Sequence, residues 1–242
     1  MRITTNEQLM ELLDSLYAGG ADRTSRDAAN FWDGLFQQPD HPLSSDLPDA
    51  GLVAWQAEGL LGDRPRRSAL DVGCGLGRNS RWLAERGFTV TGIDIAPGAI
   101  EEAARRSAGQ PATFLELDFI REKVPGEVFD LVYDSGCFHH LAPHRRISYM
   151  AALEATLAPG GLFGICTFAA GQMGASGGMP RSLLSPRAPK RSAREPACRV
   201  THLKAVLSER LPLDLGRPFL VDGRGVSSWP WITPLLTSLG VA

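Results

Sequence analysis

An α/β fold built on a doubly wound, mostly parallel sheet is predicted by three observations. Short β-branched or apolar runs alternate with helix-like stretches, a glycine-rich turn joins the first of these runs to a helix, and acids recur at the ends of the runs. Strands read at 69–72, 89–93, 113–117, 131–133 and 162–167, and helical patterns at 79–86, 99–107 and 146–157. Pro97 lies where a first-turn proline is tolerated, and Pro159-Gly160-Gly161 is expected to stop the last helix before the fifth strand. Ligands of such sheets sit at the carboxyl ends of the strands.

The flanks differ in texture. Residues 1–61 read as an N-terminal helical cover, with a leucine pattern (Leu9, Leu12, Leu13, Leu16), an aromatic cluster (Phe31, Trp32, Phe36) and a second helical segment around Leu52, Trp55 and Leu60. The aromatics fit either helix packing or a lid over a pocket. Residues 62–170 form the predicted core. From 171 to 242 the composition changes: between Ser176 and Arg199, Arg181, Arg187, Lys190, Arg191, Arg194 and Arg199 stand against a single acid, Glu195, and Pro180, Pro186, Pro189 and Pro196 punctuate the stretch. Such a segment reads as a solvated loop, with a nucleic-acid or anionic-substrate patch as the alternative.

A chain of 242 residues, 43% hydrophobic and 21% charged with a net charge of −2, has the make-up of an ordinary globular protein. It gives no global electrostatic reason to bind nucleic acid or an anionic membrane, so neither is expected as a partner; a small molecule is. The start lacks the apolar stretch of a secretory signal and no apolar run approaches the ~20 residues of a membrane span, so a cytoplasmic location is expected. Cys74, Cys137, Cys166 and Cys198 form no CxxC pair and read as reduced thiols.

The strongest chemical signal is Ala69-Leu70-Asp71-Val72-Gly73-Cys74-Gly75-Leu76-Gly77-Arg78-Asn79, a strand passing through a glycine turn into a helix. Glycines let the backbone approach a ligand and aim N–H groups at a carboxylate or phosphate. The dinucleotide fingerprint G-x-G-x-x-G needs glycine where Arg78 stands, which disfavours a nicotinamide-dependent oxidoreductase. Asp94, followed by Ile95, ends the second strand 21 residues after Gly73, where a carboxylate can accept both ribose hydroxyls of an adenosine. Asp118 follows the third strand and can accept from an adenine amine, while Phe119 can cover the ring.

These features together resemble the class I S-adenosylmethionine-dependent methyltransferases, over about residues 62–168. Phe129-Asp130-Leu131-Val132-Tyr133-Asp134-Ser135-Gly136-Cys137-Phe138-His139-His140-Leu141 is similar to the fourth-strand motif of small bacterial members. Gly77-Arg78-Asn79-Ser80 is similar to the turn of tellurite-resistance and thiopurine-type enzymes. No Asn-Pro-Pro-Tyr or Asp-Pro-Pro-Tyr occurs at the fourth strand, which tells against amino-methylating nucleic-acid enzymes. The resemblance implies a Rossmann-like methyltransferase sheet and S-adenosylmethionine as cofactor. Gly73, Cys74 and Gly75 would lie along its methionine part, with Asp71 supporting the turn. Arg78 and Asn79 would reach its carboxylate, Asp94 the ribose, Asp118 with Phe119 the adenine, and Asp134 would border the methionine amine. A small-molecule acceptor follows, the rival being a non-catalytic S-adenosylmethionine-binding protein.

Methyl transfer from a sulfonium is an in-line displacement, so alignment and water exclusion carry most of the work, and orientation of this kind supplies ~7–11 kcal/mol. A hydroxyl acceptor needs a general base, and His139 and His140 are the candidates, imidazole ordinarily titrating near about 6.5. The alternative has one packing against cofactor or lid and the other facing solvent. No metal is expected: His140 and His144 stand at i, i+4, but Pro143 interrupts a continuous helix and no third ligand is evident. Cys137 reads as buried and inert rather than nucleophilic. Beyond strand five the family's final antiparallel strands are expected, but only Gly216-Arg217-Pro218-Phe219-Leu220-Val221 resembles the beginning of one, after a possible helix at 201–211. The chain after about Ala175 reads as diverged or altered in reading frame.

Overall fold

The computed structural model describes residues 3–17, 28–38, 41–62, 67–126, 128–142 and 144–167, and the backbone of two short strands at 199–200 and 219–222. Five strands, β1 (Arg67–Val72), β2 (Phe88–Asp94), β3 (Ala112–Glu116), β4 (Phe129–Ser135) and β5 (Leu157–Thr167), pair in the order β3-β2-β1-β4-β5, all parallel. Two further strands, β6 (Arg199–Val200) and β7 (Phe219–Asp222), pair antiparallel with β5. The predicted α/β class and parallel sheet are thus observed, and β7 overlaps the 216–221 segment expected to begin a last strand. The basic, proline-punctuated segment and the helix expected over 201–211 lie outside the described residues.

Burial on both faces explains why the strand sequences read as near-continuous apolar runs. Successive side chains alternate: Leu70, Val72 and Val132 enter a cluster with Tyr149 and Leu153, whereas Ala69, Leu131 and Tyr133 enter another with Trp55, Leu83 and Phe88. The described α-helices are α1 (Asn6–Tyr17), α2 (Ala28–Phe36), α3 (Ala50–Ala57), α4 (Arg78–Ala84), α5 (Pro97–Arg106) and α6 (Arg145–Thr156), with short 3-10 turns at Pro42–Ser44 and Phe138–His140. Pro97 opens α5, as its fixed φ suits a first turn.

Two expectations are corrected. Pro159-Gly160-Gly161 does not stop α6, which ends at Thr156; Leu157 is already extended and pairs with Phe129. Register then slips, Leu131 facing Leu162, so Ala158, Pro159, Gly160 and Gly161 stand where β4 has only Asp130, an irregularity inside β5. The leucine pattern does mark α1, but Leu9 and Leu12 are exposed, and the helix is attached instead by its acids. Asp14 binds Arg145, Arg121 and His144, and Glu7 binds Arg145. The aromatic α2 is tied to α5 by Asp33, whose Oδ1 accepts from the Gly98 N–H at 2.8 Å. Among the described residues, no helix is long and apolar enough to cross a membrane.

Candidate active site

Strand order reverses at β1, which pairs with β2 on one side and β4 on the other, and the crevice at this switch point is where a doubly wound sheet receives ligand. A cavity of about 380 Å³ lies there, within the ~300–1,000 Å³ range of small-ligand pockets. The glycine turn forms its floor, the ends of β2, β3 and β4 its walls, and Trp32, Phe36, Pro42 and Leu43 of the N-terminal cover its roof. Of the aromatic cluster, Trp32 and Phe36 line the cavity and pack against Leu76, Ala96 and Ala99.

The turn needs glycine for reasons of shape. Gly73 has φ +67°, and a Cβ there would stand 2.8 Å from the Cys137 Cβ; Gly75 has φ +51°, and a Cβ there would stand 2.8 Å from the Phe36 ring. Asp94 holds the same turn, its Oδ2 accepting from the Gly75 N–H at 2.9 Å and its Oδ1 from the Ala96 N–H at 3.0 Å. A carboxylate has about four lone-pair sites, and although the Ile95 N–H also bonds Asp94, capacity remains for a hydroxyl donor in the cavity it lines. Burial raises its pKa, opposed by these N–H bonds. Asp71 lies beneath the turn, its Oδ2 accepting from the Ser80 hydroxyl at 2.6 Å. Burial pushes it up to about 7, despite the Ser80 bond.

Gly73, Cys74, Gly75, Arg78, Asn79, Asp94, Ile95, Asp118, Phe119, His139 and His140 all line the cavity. Asp118 is braced, its Oδ1 accepting from the Ile120 N–H at 3.1 Å and its Oδ2 from Arg121 at 2.7 Å. Phe119 is buried edge-on to Tyr149, ring centroids 5.1 Å apart. The His139 and His140 rings lie 4.1 Å apart, and Trp32 sits edge-on to His140 at 4.7 Å.

Asp134 is placed differently from what the resemblance implies, and two further observations, at Asp49 and Cys166, were not anticipated. Asp134 is not among the cavity-lining residues: its Oδ1 accepts from the Cys137 N–H, and its Oδ2 from the Phe138 N–H and the Tyr149 hydroxyl, so it caps the turn that carries His139 and His140. Burial holds it at about 6. Arg78 and Asn79 are directed to another acid, Asp49, which sequence reasoning missed. Cys166 is disulfide-bonded, not a free thiol as expected. Cys74 and Cys137 are free, and burial pushes both thiols well above their ordinary range, consistent with inert packing. His144, the second histidine considered for a metal, places Nε2 on Asp14 at 2.7 Å, and among the described residues no cluster of three or more potential ligands occurs.

A methyltransferase domain model matches residues 69–161. An uncharacterized methyltransferase of Schizosaccharomyces pombe is 38% identical over 89 residues, which are 36% of this chain and 61% of the relative. Malonyl-[acyl-carrier protein] O-methyltransferase of Serratia marcescens is 33% identical over 48% of this chain and 44% of its own, and thiocyanate methyltransferase 1 of Brassica oleracea 29% identical over 62% of each. Among solved structures, one from work on thioacetal formation in echinomycin biosynthesis is 29% identical with a TM-score of 0.48, covering 66% of this chain and 61% of the other. The chain spans less than two thirds of the length of these curated relatives. The matched segment spans the glycine turn and strands β1 to β4 with the start of β5, and over it this chain carries a methyltransferase domain.

Proposed function

We propose that the protein transfers a methyl group from S-adenosylmethionine to a small-molecule acceptor. The observation that carries this reading is the roofed cavity at the switch point, where the Asp94 carboxylate and the Gly75 backbone meet. When bound, the cofactor supplies an activated methyl carbon on a sulfonium. The chain's own residues do the rest: the glycine turn admits the methionine part, Asp94 accepts from the ribose hydroxyls, and Asp118 and Phe119 meet the adenine. Trp32, Phe36 and Leu43 exclude water above the reacting centre, which strengthens alignment and suppresses hydrolysis.

A cavity near the lower end of the usual range, shared between cofactor and acceptor, suits a small acceptor with an apolar body. His139 and His140 border the acceptor side and supply the base that a hydroxyl acceptor requires; a thiol or amine proceeds without it. Incubating the protein with methyl-labelled S-adenosylmethionine and a panel of small thiols, amines and alcohols tests the reading. Labelled product with stoichiometric S-adenosylhomocysteine is expected, and binding of S-adenosylhomocysteine without turnover of any acceptor would favour the non-catalytic alternative.

A further inference from the structure

The carboxylate that lines the cavity just after β3 is held by a side chain of its own turn. Asp118 Oδ2 accepts from Arg121 Nη1 at 2.7 Å and Asp118 Oδ1 from the Ile120 N–H at 3.1 Å, while the Arg121 and Glu122 N–H groups both donate to the Asp118 carbonyl. Main chain and side chain of this acid are therefore both fixed. A carboxylate has about four lone-pair sites, so Asp118 keeps capacity for a donor in the cavity that it lines.

Arg121 is in turn fixed by α1. Its side chain is only 3% exposed; Nη2 donates to Asp14 Oδ2 at 3.0 Å, and Nε stands 3.7 Å from Glu7 Oε1. Arg145 grips the same two acids, so two buried guanidiniums share the carboxylates of Asp14, Glu7 and Asp118. Of these three acids Asp118 alone lines the cavity, and among the described residues no member of α1 does. A planar guanidinium joins two carboxylates through one rigid fork, so where α1 places Asp14 bears on where Asp118 is held.

We propose that Arg121 is a positioning residue for nucleobase recognition: it locks the Asp118 carboxylate for the amine edge of the base, and through Asp14 it makes that lock depend on α1. This rests on the reading of the cavity as an S-adenosylmethionine site in which Asp118 meets the adenine. Adenine presents an amine where hypoxanthine presents a carbonyl oxygen. A carboxylate locked in place accepts from the first and repels the second, whereas one free to turn loses the bond to the amine and escapes the repulsion. Choice between the bases is what Arg121 contributes beyond attachment of α1. The competing role is that of a staple for the helix, with no bearing on which base binds.

S-adenosylhomocysteine and S-inosylhomocysteine, which differ in carrying adenine and hypoxanthine, separate these roles in calorimetric titration of the full chain. Wild-type protein is expected to bind the first at least about tenfold more tightly, as one bond to a charged acceptor implies. Arg121→Lys keeps the charge but has no fork, and is expected to lower that ratio at least about threefold, chiefly by weakening S-adenosylhomocysteine. Asp14→Ala, at a residue that does not line the cavity, is expected to shift the ratio in the same direction and decides the matter where Arg121→Lys fails to fold. Variants that weaken both ligands equally, or leave both affinities unchanged, overturn the proposal in favour of the staple. A ratio lowered by Arg121→Lys but kept in Asp14→Ala overturns the dependence on α1. Wild-type protein that binds both ligands equally would overturn instead the placing of adenine against Asp118, and binding of neither would overturn the cofactor reading itself.

Discussion

The Asp94 carboxylate accepts a hydrogen bond from the Gly75 N–H at 2.9 Å, so the acid that ends β2 also fixes the turn that follows β1. One residue thereby both fixes the turn and lines the cavity, and in the proposed function it is the acceptor for the ribose. Asp94→Ala removes both and is expected to weaken S-adenosylmethionine binding by about 1–3 kcal/mol, the range for losing bonds to a charged acceptor. Isothermal titration checks this, and an unchanged affinity would mean the ribose lies elsewhere.

Asp71 carries a pH dependence with a definite sign. Its ordinary value of 3.8 is raised to about 7 by burial, so below about pH 4 it is protonated whether the chain is folded or not. As pH rises toward 7 the unfolded chain releases this proton first, and the stability the group contributes is lost through that window. At about 1.4 kcal/mol per unit, the shift sets an upper bound near about 4 kcal/mol. Asp71→Asn, which can still accept from Ser80, is expected to flatten the decline between pH 4 and 8 in denaturant unfolding; parallel curves for variant and wild type would refute it.

The α1 helix is anchored by its acids, while Leu9 and Leu12 stand exposed. Asp14 lies between Arg145, Arg121 and His144, and Arg121 also grips Asp118, which lines the cavity. Asp14→Ala is expected to cost about 1–3 kcal/mol and to raise amide exchange over residues 6–17. Burial opposes ionisation of Asp14, but its bonds to Arg145 and His144 outweigh this and lower its pKa, so its contribution is present above pH 3.8 and lost as pH falls below. Unchanged exchange in the variant would show that other contacts hold the helix.

His139→Gln and His140→Gln separate base from packing. For a hydroxyl acceptor, the histidine that takes the proton is expected to lose about 10²-fold or more in kcat, with S-adenosylhomocysteine affinity kept. Loss of affinity with kcat kept would assign that ring to packing, as the edge-on contact of His140 with Trp32 allows.

What could be read in advance was local. The apolar runs, the glycine turn and the strand-end acids are short-range signals, and they located five strands, the cavity and Asp94 within it. What escaped depended on distant pairing. Thr156 ends α6 because Leu157 joins Phe129, a partner 28 residues earlier, before the proline and glycines that seemed to be the stop. Asp134 looked like a ligand acid because it ends a strand, but the N–H groups of the turn that follows and the Tyr149 hydroxyl claim it. Asp49 gave no signal beyond its place ahead of a helix, since its partners lie 29, 30 and 84 residues away.

Titration of the full chain with S-adenosylhomocysteine, alongside nicotinamide adenine dinucleotide as a control, tests the central claim most directly. Saturable one-to-one binding of the first and none of the second is the result predicted. Failure to bind S-adenosylhomocysteine, or equal affinity for the dinucleotide, would contradict the account.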